Sequence, residues 1–284
     1  MIRYSIVLIV IFQLFQSGFA QDTSSYSNSR MRIVKTTSDN CDVKLFRTIN
    51  NNRSDFLDKG LTVTDYSVLP AAVVIPSGLF WYGRANHKNY DENTAVLIGF
   101  SEVTSVALTT AIKYIVKRPR PYISLSNVYV RKGILSDPYS FPSGHTSTAF
   151  SIATELALRY PKYPQAYIPA YIWGLIVGYG RVYFGMHYPT DVLGGAVIGS
   201  LSAVGIFSLR KEILGFKNRV FGEENKPDKN EYDSKSIGFI TGGFILFTGL
   251  NEFLLKNDTR IQLEFEPVTK ESSSGISCNI RYSF

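Results

Sequence analysis

Three stretches decide how this chain is read: Lys113-Tyr-Ile-Val-Lys-Arg-Pro-Arg120-Pro121, Phe141-Pro-Ser143-Gly144-His145-Thr146 and Arg181-Val-Tyr-Phe-Gly-Met-His187-Tyr-Pro-Thr-Asp191. Together they hold a cluster of cations, two of the chain's three histidines and one carboxylate. Guanidinium and ammonium groups converging on a Ser-Gly turn that opens a helix are the parts of an oxyanion cradle. Arg grips phosphate with a planar fork, Lys acts as a point charge, and the first N–H groups of a helix add donors. Asp191 follows His187 by four residues, with Pro189 suited to the first helical position. The carboxylate can therefore reach back to the imidazole, fix its tautomer and leave the other ring nitrogen free to act as nucleophile or base. His145 is then available as an acid for a leaving-group oxygen. Each stretch alone has a bland reading. The first is a basic solvated segment, the second a loop ending in a helix cap, and the third a structural His–Asp capping pair.

The order Lys, six residues, Arg-Pro, then Pro-Ser-Gly-His, then Arg, five residues, His, three residues, Asp resembles the type 2 phosphatidic acid phosphatase superfamily. That superfamily includes lipid phosphate phosphatases, class A acid phosphatases and vanadium haloperoxidases. The motifs cover residues 113–191, with helical context from about 65 to 210. The resemblance implies that His187 forms a phosphohistidine, that Asp191 orients it, and that His145 protonates the departing alcohol. It further implies that Lys113, Arg120, Ser143, Gly144 and Arg181 hold the phosphoryl oxygens. The chain departs from the family at Gly180, where a Ser commonly precedes the arginine. That departure puts one hydrogen bond in doubt and leaves the reaction class intact.

The composition agrees with a partly membrane-embedded protein. Of 284 residues, 45% are hydrophobic, 14% aromatic and only 19% charged. The net charge of +7 suits an anionic substrate or an anionic lipid surface. Nucleic acid is a poor partner, because the basic residues line no helix face and no nucleic-acid motif accompanies them. No cofactor is called for, and the surrounding arginines and lysines would repel a metal from the two histidines and the aspartate.

Working outward, residues 1–20 have an early positive charge, a short apolar run from Ile6 to Phe15 and a small-residue end at Ala20, the parts of a secretory signal peptide. Residues 21–64 read as a polar lead followed, from Asp42 to Gly60, by one or two short amphipathic helices. Residues 65–221 are the helical phosphatase core, 222–235 a charged linker, 236–255 a further helix and 256–284 a β-hairpin of two alternating runs. The windows Tyr66 to Gly83, Tyr163 to Gly180, Val192 to Leu209 and Ser236 to Asn251 carry no charge, and they lie near the length needed to span a bilayer. Two more apolar segments contain Glu102 and Glu155. Glu102, Val106, Thr109 and Lys113 share one helix face, so Glu102 points inward.

The expected fold is therefore all-α: a bundle of six membrane-spanning or membrane-associated helices with a small C-terminal hairpin. Loop charges at Arg84, Lys88, Arg159, Lys162, Arg210, Lys211, Lys217 and Arg219 place one side of the bundle in the cytoplasm. The three motifs then face the periplasm from a bacterial cell membrane. Cys41 and Cys278 fall on that same side and form a candidate disulfide, with buried free thiols the alternative. The expected activity is hydrolysis of a phosphomonoester or diphosphate of a membrane lipid. A soluble periplasmic acid phosphatase, a vanadate-dependent haloperoxidase and a non-catalytic lipid-binding membrane protein remain open beside it.

Overall fold

The computed structural model describes residues 40–131, 137–224, 228–229 and 234–243, and the backbone of 260–270 and 273–283. The expected signal peptide, most of the polar lead and the end of the last helix lie outside the described residues.

The described chain is mostly helical. A short helix α1 (Cys41–Asn51) is capped by Asn40, whose side chain accepts from Val43 N. Four long helices and one shorter one follow: α2 (Asp55–Ala85), α3 (Asn89–Val116), α5 (Gly144–Arg159), α6 (Pro164–Tyr183) and α7 (Pro189–Ser208). A single turn, α4 (Pro121–Ser124), sits in the α3–α5 connection, and α8 (Arg210–Phe221) follows α7. Residues 234–243 are again helical. The backbone of β1 (Arg260–Lys270) pairs antiparallel with β2 (Ser273–Ser283).

The first long helix differs from the sequence-based expectation. It begins at Asp55, so the second amphipathic segment is its opening turns, and it runs through Pro70 and Pro76. An internal proline removes one backbone hydrogen bond but does not end a helix that neighbours hold in place. Cys41 is exposed at the start of α1 with a free thiol. The side chain of Cys278, its candidate partner, lies outside the described residues.

Three helices, α2, α3 and α7, are long and apolar enough to cross a membrane. Their surroundings agree. Large apolar side chains face outward, among them Val74, Trp81, Leu108, Ile172, Leu175, Leu193 and Leu201. The interior, by contrast, holds Ser101, Glu102, Ser105, Thr109, Ser147, Ser151 and Glu155. Water would not tolerate so continuous an apolar exterior, whereas lipid requires it. Glu102 is buried as expected, but its Oε1 has no hydrogen-bond partner.

Small residues set the spacing between α5 and α7. A Cβ added at Gly195 would collide with the Ser143 carbonyl oxygen, and one at Gly199 with that of Ser147. This Gly-xxx-Gly stripe lets the two backbones touch. Gly199→Ala is expected to destabilise by about 1–3 kcal/mol through overpacking. Gly205→Ala on the same helix meets nothing within 4 Å and should cost nothing. Thermal unfolding in detergent checks this, and equal midpoints for the two variants would remove the close-packing account.

The end of the bundle away from the motifs is tied by ion pairs. Arg84 pairs with Glu92 and Glu223, Lys217 with the same two carboxylates, and Arg159 with Asp228. Three of the loop cations used to orient the chain are thus partly neutralised within the fold.

Candidate active site

The α6–α7 connection is short and the longer α3–α5 connection carries α4, and the C-terminal ends of α3 and α6 meet the N-terminal ends of α5 and α7. This brings together all the predicted positions. Lys113 lies in the last turn of α3, Arg120 caps α4, Ser143 caps α5, and Gly144 and His145 open α5. Arg181 lies in the last turn of α6, His187 in the connection to α7, and Asp191 in the first turn of α7. Lys113, Arg120, Ser143, Arg181, His187 and Asp191 are all buried, while His145 is partly exposed.

His187 is held at both ring nitrogens. Its Nδ1 lies 2.7 Å from the Ser140 carbonyl oxygen and its Nε2 lies 3.1 Å from Arg120 Nη1. A carbonyl can only accept and a guanidinium can only donate, so the proton sits on Nδ1 and the lone pair on Nε2. Burial, followed by the charges of Arg120, Arg181 and Lys113, lowers the His187 pKa well below its usual range. The ring is therefore a neutral imidazole.

Asp191 is arranged differently from the expectation. Its Oδ2 is 3.7 Å from His187 Nδ1. That oxygen accepts from Tyr188 N at 2.8 Å, and Oδ1 accepts from Arg118 Nη1 at 2.6 Å. Spacing brought the carboxylate beside the ring, but the closer partner of Nδ1 is a backbone carbonyl from another element. Arg118 also binds Asp42 Oδ2 at 2.6 Å, and Asp42 accepts from Thr190, so α1 is latched onto this end of the bundle.

The cations are balanced by two carboxylates that sequence reasoning did not single out. Asp137 takes Lys113 Nζ at 2.9 Å and Arg120 Nη2 at 3.1 Å on one oxygen. Arg120 is further held through Nε to the Asp137 carbonyl at 2.5 Å and through Nη1 to the Met186 carbonyl at 3.0 Å. Burial would raise the Asp137 pKa, but Arg120 and Lys113 outweigh it and hold the carboxyl below its usual range. Asp65 on α2 accepts from Arg181 Nη1 at 2.6 Å and from Arg131 Nη2 at 2.8 Å. The signal that could have found both acids is charge balance, since buried cations require partners.

Ser143 is occupied structurally: its Oγ lies 2.9 Å from Thr146 Oγ1 and its N donates to the Asp191 carbonyl at 3.0 Å. At Gly144 a Cβ would meet only Thr109, at 3.8 Å, so packing does not demand glycine there. A Cβ at Gly180 would likewise meet only Leu61, at 3.7 Å or more, so the side chain missing relative to the family would have fitted. Desolvation within the site and the charge of Arg181 lower the His145 pKa below its usual range, with Asp65 pulling the other way.

Residues 94–213 match the PAP2 superfamily. An undecaprenyl-diphosphatase of Sulfolobus acidocaldarius is 30% identical over 160 residues, covering 56% of this chain and 73% of that one. Phosphatidylglycerophosphatase B of Bacillus subtilis is 29% identical, covering 54% and 72%. An undecaprenyl-diphosphatase of the same bacterium is 26% identical, covering 48% of this chain and 65% of its own, just under two thirds. The chain belongs to the PAP2 superfamily, and it is a membrane protein and a phosphatase of that type.

Proposed function

We propose that this protein removes the terminal phosphoryl group from a phosphomonoester or diphosphate of a membrane lipid through a phosphohistidine on His187. The observation that carries the reading is the state of His187: a neutral ring with Nδ1 pinned by a carbonyl and its Nε2 lone pair directed at Arg120, whose Nη1 it releases when that guanidinium turns to the substrate. In the reaction Nε2 attacks phosphorus, the bond from phosphorus to the lipid-side oxygen breaks, and that oxygen takes a proton from His145. Water then attacks the phosphohistidine, giving its proton to His145 and releasing inorganic phosphate.

Lys113, Arg120 and Arg181 hold the phosphoryl oxygens, with backbone donors from the turn at Ser143 and Gly144. Asp191 steadies the His187 loop through Tyr188 and Arg118. The Asp137 carboxylate already lies where one anionic oxygen would meet both Lys113 and Arg120, so the substrate displaces it. A phosphoryl dianion brings more charge and more acceptors to the same two donors.

The finer architecture belongs to the same proposal. Residues 65–221 form the phosphatase core, and α2, α3, α5, α6, α7 and the helix entered at residue 234 form a six-helix membrane-associated bundle. The active site faces the periplasm, residues 1–20 are a cleaved signal, and the terminal strands are an accessory hairpin. The outward apolar side chains favour this arrangement over a soluble periplasmic phosphatase.

The test is phosphate release by the purified full chain in detergent. Phosphatidic acid, phosphatidylglycerol phosphate, an isoprenyl diphosphate and lipid A would be compared with a small aryl phosphate. At least one lipid should be turned over with far higher kcat/KM than the aryl ester. Turnover of the aryl ester alone would refute a lipid substrate.

A further inference from the structure

Arg131 is a half-buried cation that the reaction above does not use. Its Nη2 is fixed on Asp65 at 2.8 Å, and its guanidinium carbon lies 4.6 Å from the ring centres of both Tyr66 and Phe184. Its Nε and Nη1 are buried with no hydrogen-bond partner. Arg181 Nε, on the other side of the same carboxylate, is also buried and unpartnered. One carboxylate thus serves two guanidinium groups, leaving net positive charge and three unused donors beside the cradle. Buried donors without acceptors are costly, and a site that keeps them is shaped for an anion that arrives later.

We propose that Arg131, positioned by Asp65, forms a second anion subsite that takes the inner phosphoryl group of a lipid diphosphate while the cradle holds the outer one. The inference rests on the phosphatase reading above and deepens it. Its direction follows from the geometry of displacement. His187 attacks in line from beside Arg120, so the leaving oxygen departs on the far face of the phosphoryl group, the face that the reading above gives to His145 as acid. Arg131 meets the cradle at Asp65, which also holds Arg181, whereas His187 is held by Arg120, so Arg131 borders the cradle on the Arg181 side and away from the nucleophile. A lipid monophosphate presents carbon there, and Arg131 has nothing to bind. A lipid diphosphate presents a phosphoryl group, joined to the reacting one through a single oxygen, and its anionic oxygens match the unused donors. In the cleavage the bridging oxygen keeps the electron pair of the broken bond and takes the His145 proton. The product is a lipid monophosphate whose charge Arg131 has stabilised as it developed.

The experiment compares kcat/KM of the full chain in detergent for farnesyl diphosphate and farnesyl monophosphate, in wild type, Arg131→Gln and Arg131→Lys. Loss of charge-assisted hydrogen bonds predicts that Arg131→Gln lowers the diphosphate-to-monophosphate ratio by about 10- to 100-fold, with Arg131→Lys recovering part of it. A second readout does not depend on turnover. Methylenediphosphonate should compete more tightly than methylphosphonate against wild type, and that preference should disappear in Arg131→Gln. The proposal is overturned if the variant lowers both substrates equally and the inhibitor preference persists, or if wild type cleaves only the monophosphate. If wild type cleaves neither farnesyl ester, the lipid panel above decides the phosphatase reading, while the inhibitor preference still decides the role of Arg131.

Discussion

His187→Ala is expected to abolish turnover on every substrate, with losses on the order of 10⁴ to 10⁶ in kcat, because the nucleophile has no substitute. His145→Ala should behave differently. A general acid contributes about 10² to 10⁴ when the leaving group is a poor one, such as a lipid alkoxide. Nitrophenolate leaves without a proton, so the same variant should retain much of its rate on nitrophenyl phosphate. Stopped in acid or base after a brief turnover with labelled substrate, wild type and His145→Ala should both carry phosphate on the protein, and His187→Ala none. Equal loss in both variants on both kinds of substrate would sink the division of roles. The geometry gives the asymmetry its basis. His187 is neutral and tautomerically fixed by the Ser140 carbonyl, whereas His145 is partly exposed at the start of α5.

Arg120→Lys should lower kcat/KM by about 10² to 10³, although the charge is kept. All three guanidinium nitrogens of Arg120 are in use: one on the Asp137 carbonyl, one on the Met186 carbonyl and His187 Nε2, and one on the Asp137 carboxylate. An ammonium cannot bind in those directions at once, so the variant disturbs both the cradle and the nucleophile's setting. Arg181→Lys should cost a comparable factor, because it removes the planar guanidinium that bonds Asp65 through Nη1 and leaves further donors for the guest. Lys117→Ala supplies the control. Lys117 lies within the first motif's stretch but is exposed, ending α3 in a left-handed conformation, and its loss should be mild. Steady-state kinetics on one lipid substrate checks all three, and full activity in either arginine variant removes that residue from the site.

The two carboxylates opposite the cations show where sequence reading stops. Lys113, Arg120, Arg181, His145 and His187 were legible as candidates because phosphoryl chemistry calls for those residue types and they fall in three short stretches at characteristic spacings. Asp137 and Asp65 were not, because the acid that balances a buried cation can come from any element that packs nearby. Arg131 is a similar case: in the sequence it was one basic residue in a charged connection. The partner of His187 Nδ1 lay further out of reach, since a backbone carbonyl carries no side-chain signature at all.

The sequence by itself determined the helical character, the long uncharged segments and the set of candidate site residues, which the fold then gathers at one end of the bundle. Those properties follow from composition, from the lengths of uncharged runs and from residue spacing along single helices. It also placed Asp191 within reach of His187, because four residues at a helix start bring two side chains together. Only the tertiary structure decided which groups those residues touch. It set Ser140 rather than Asp191 nearest to Nδ1, put Asp137 in the slot between Lys113 and Arg120, and left Arg131 with unused donors beside Asp65. The reason is physical: hydrogen bonds and charge pairing are satisfied wherever the packed helices bring partners within about 3 Å, and that distance is set by contacts between segments far apart in the chain.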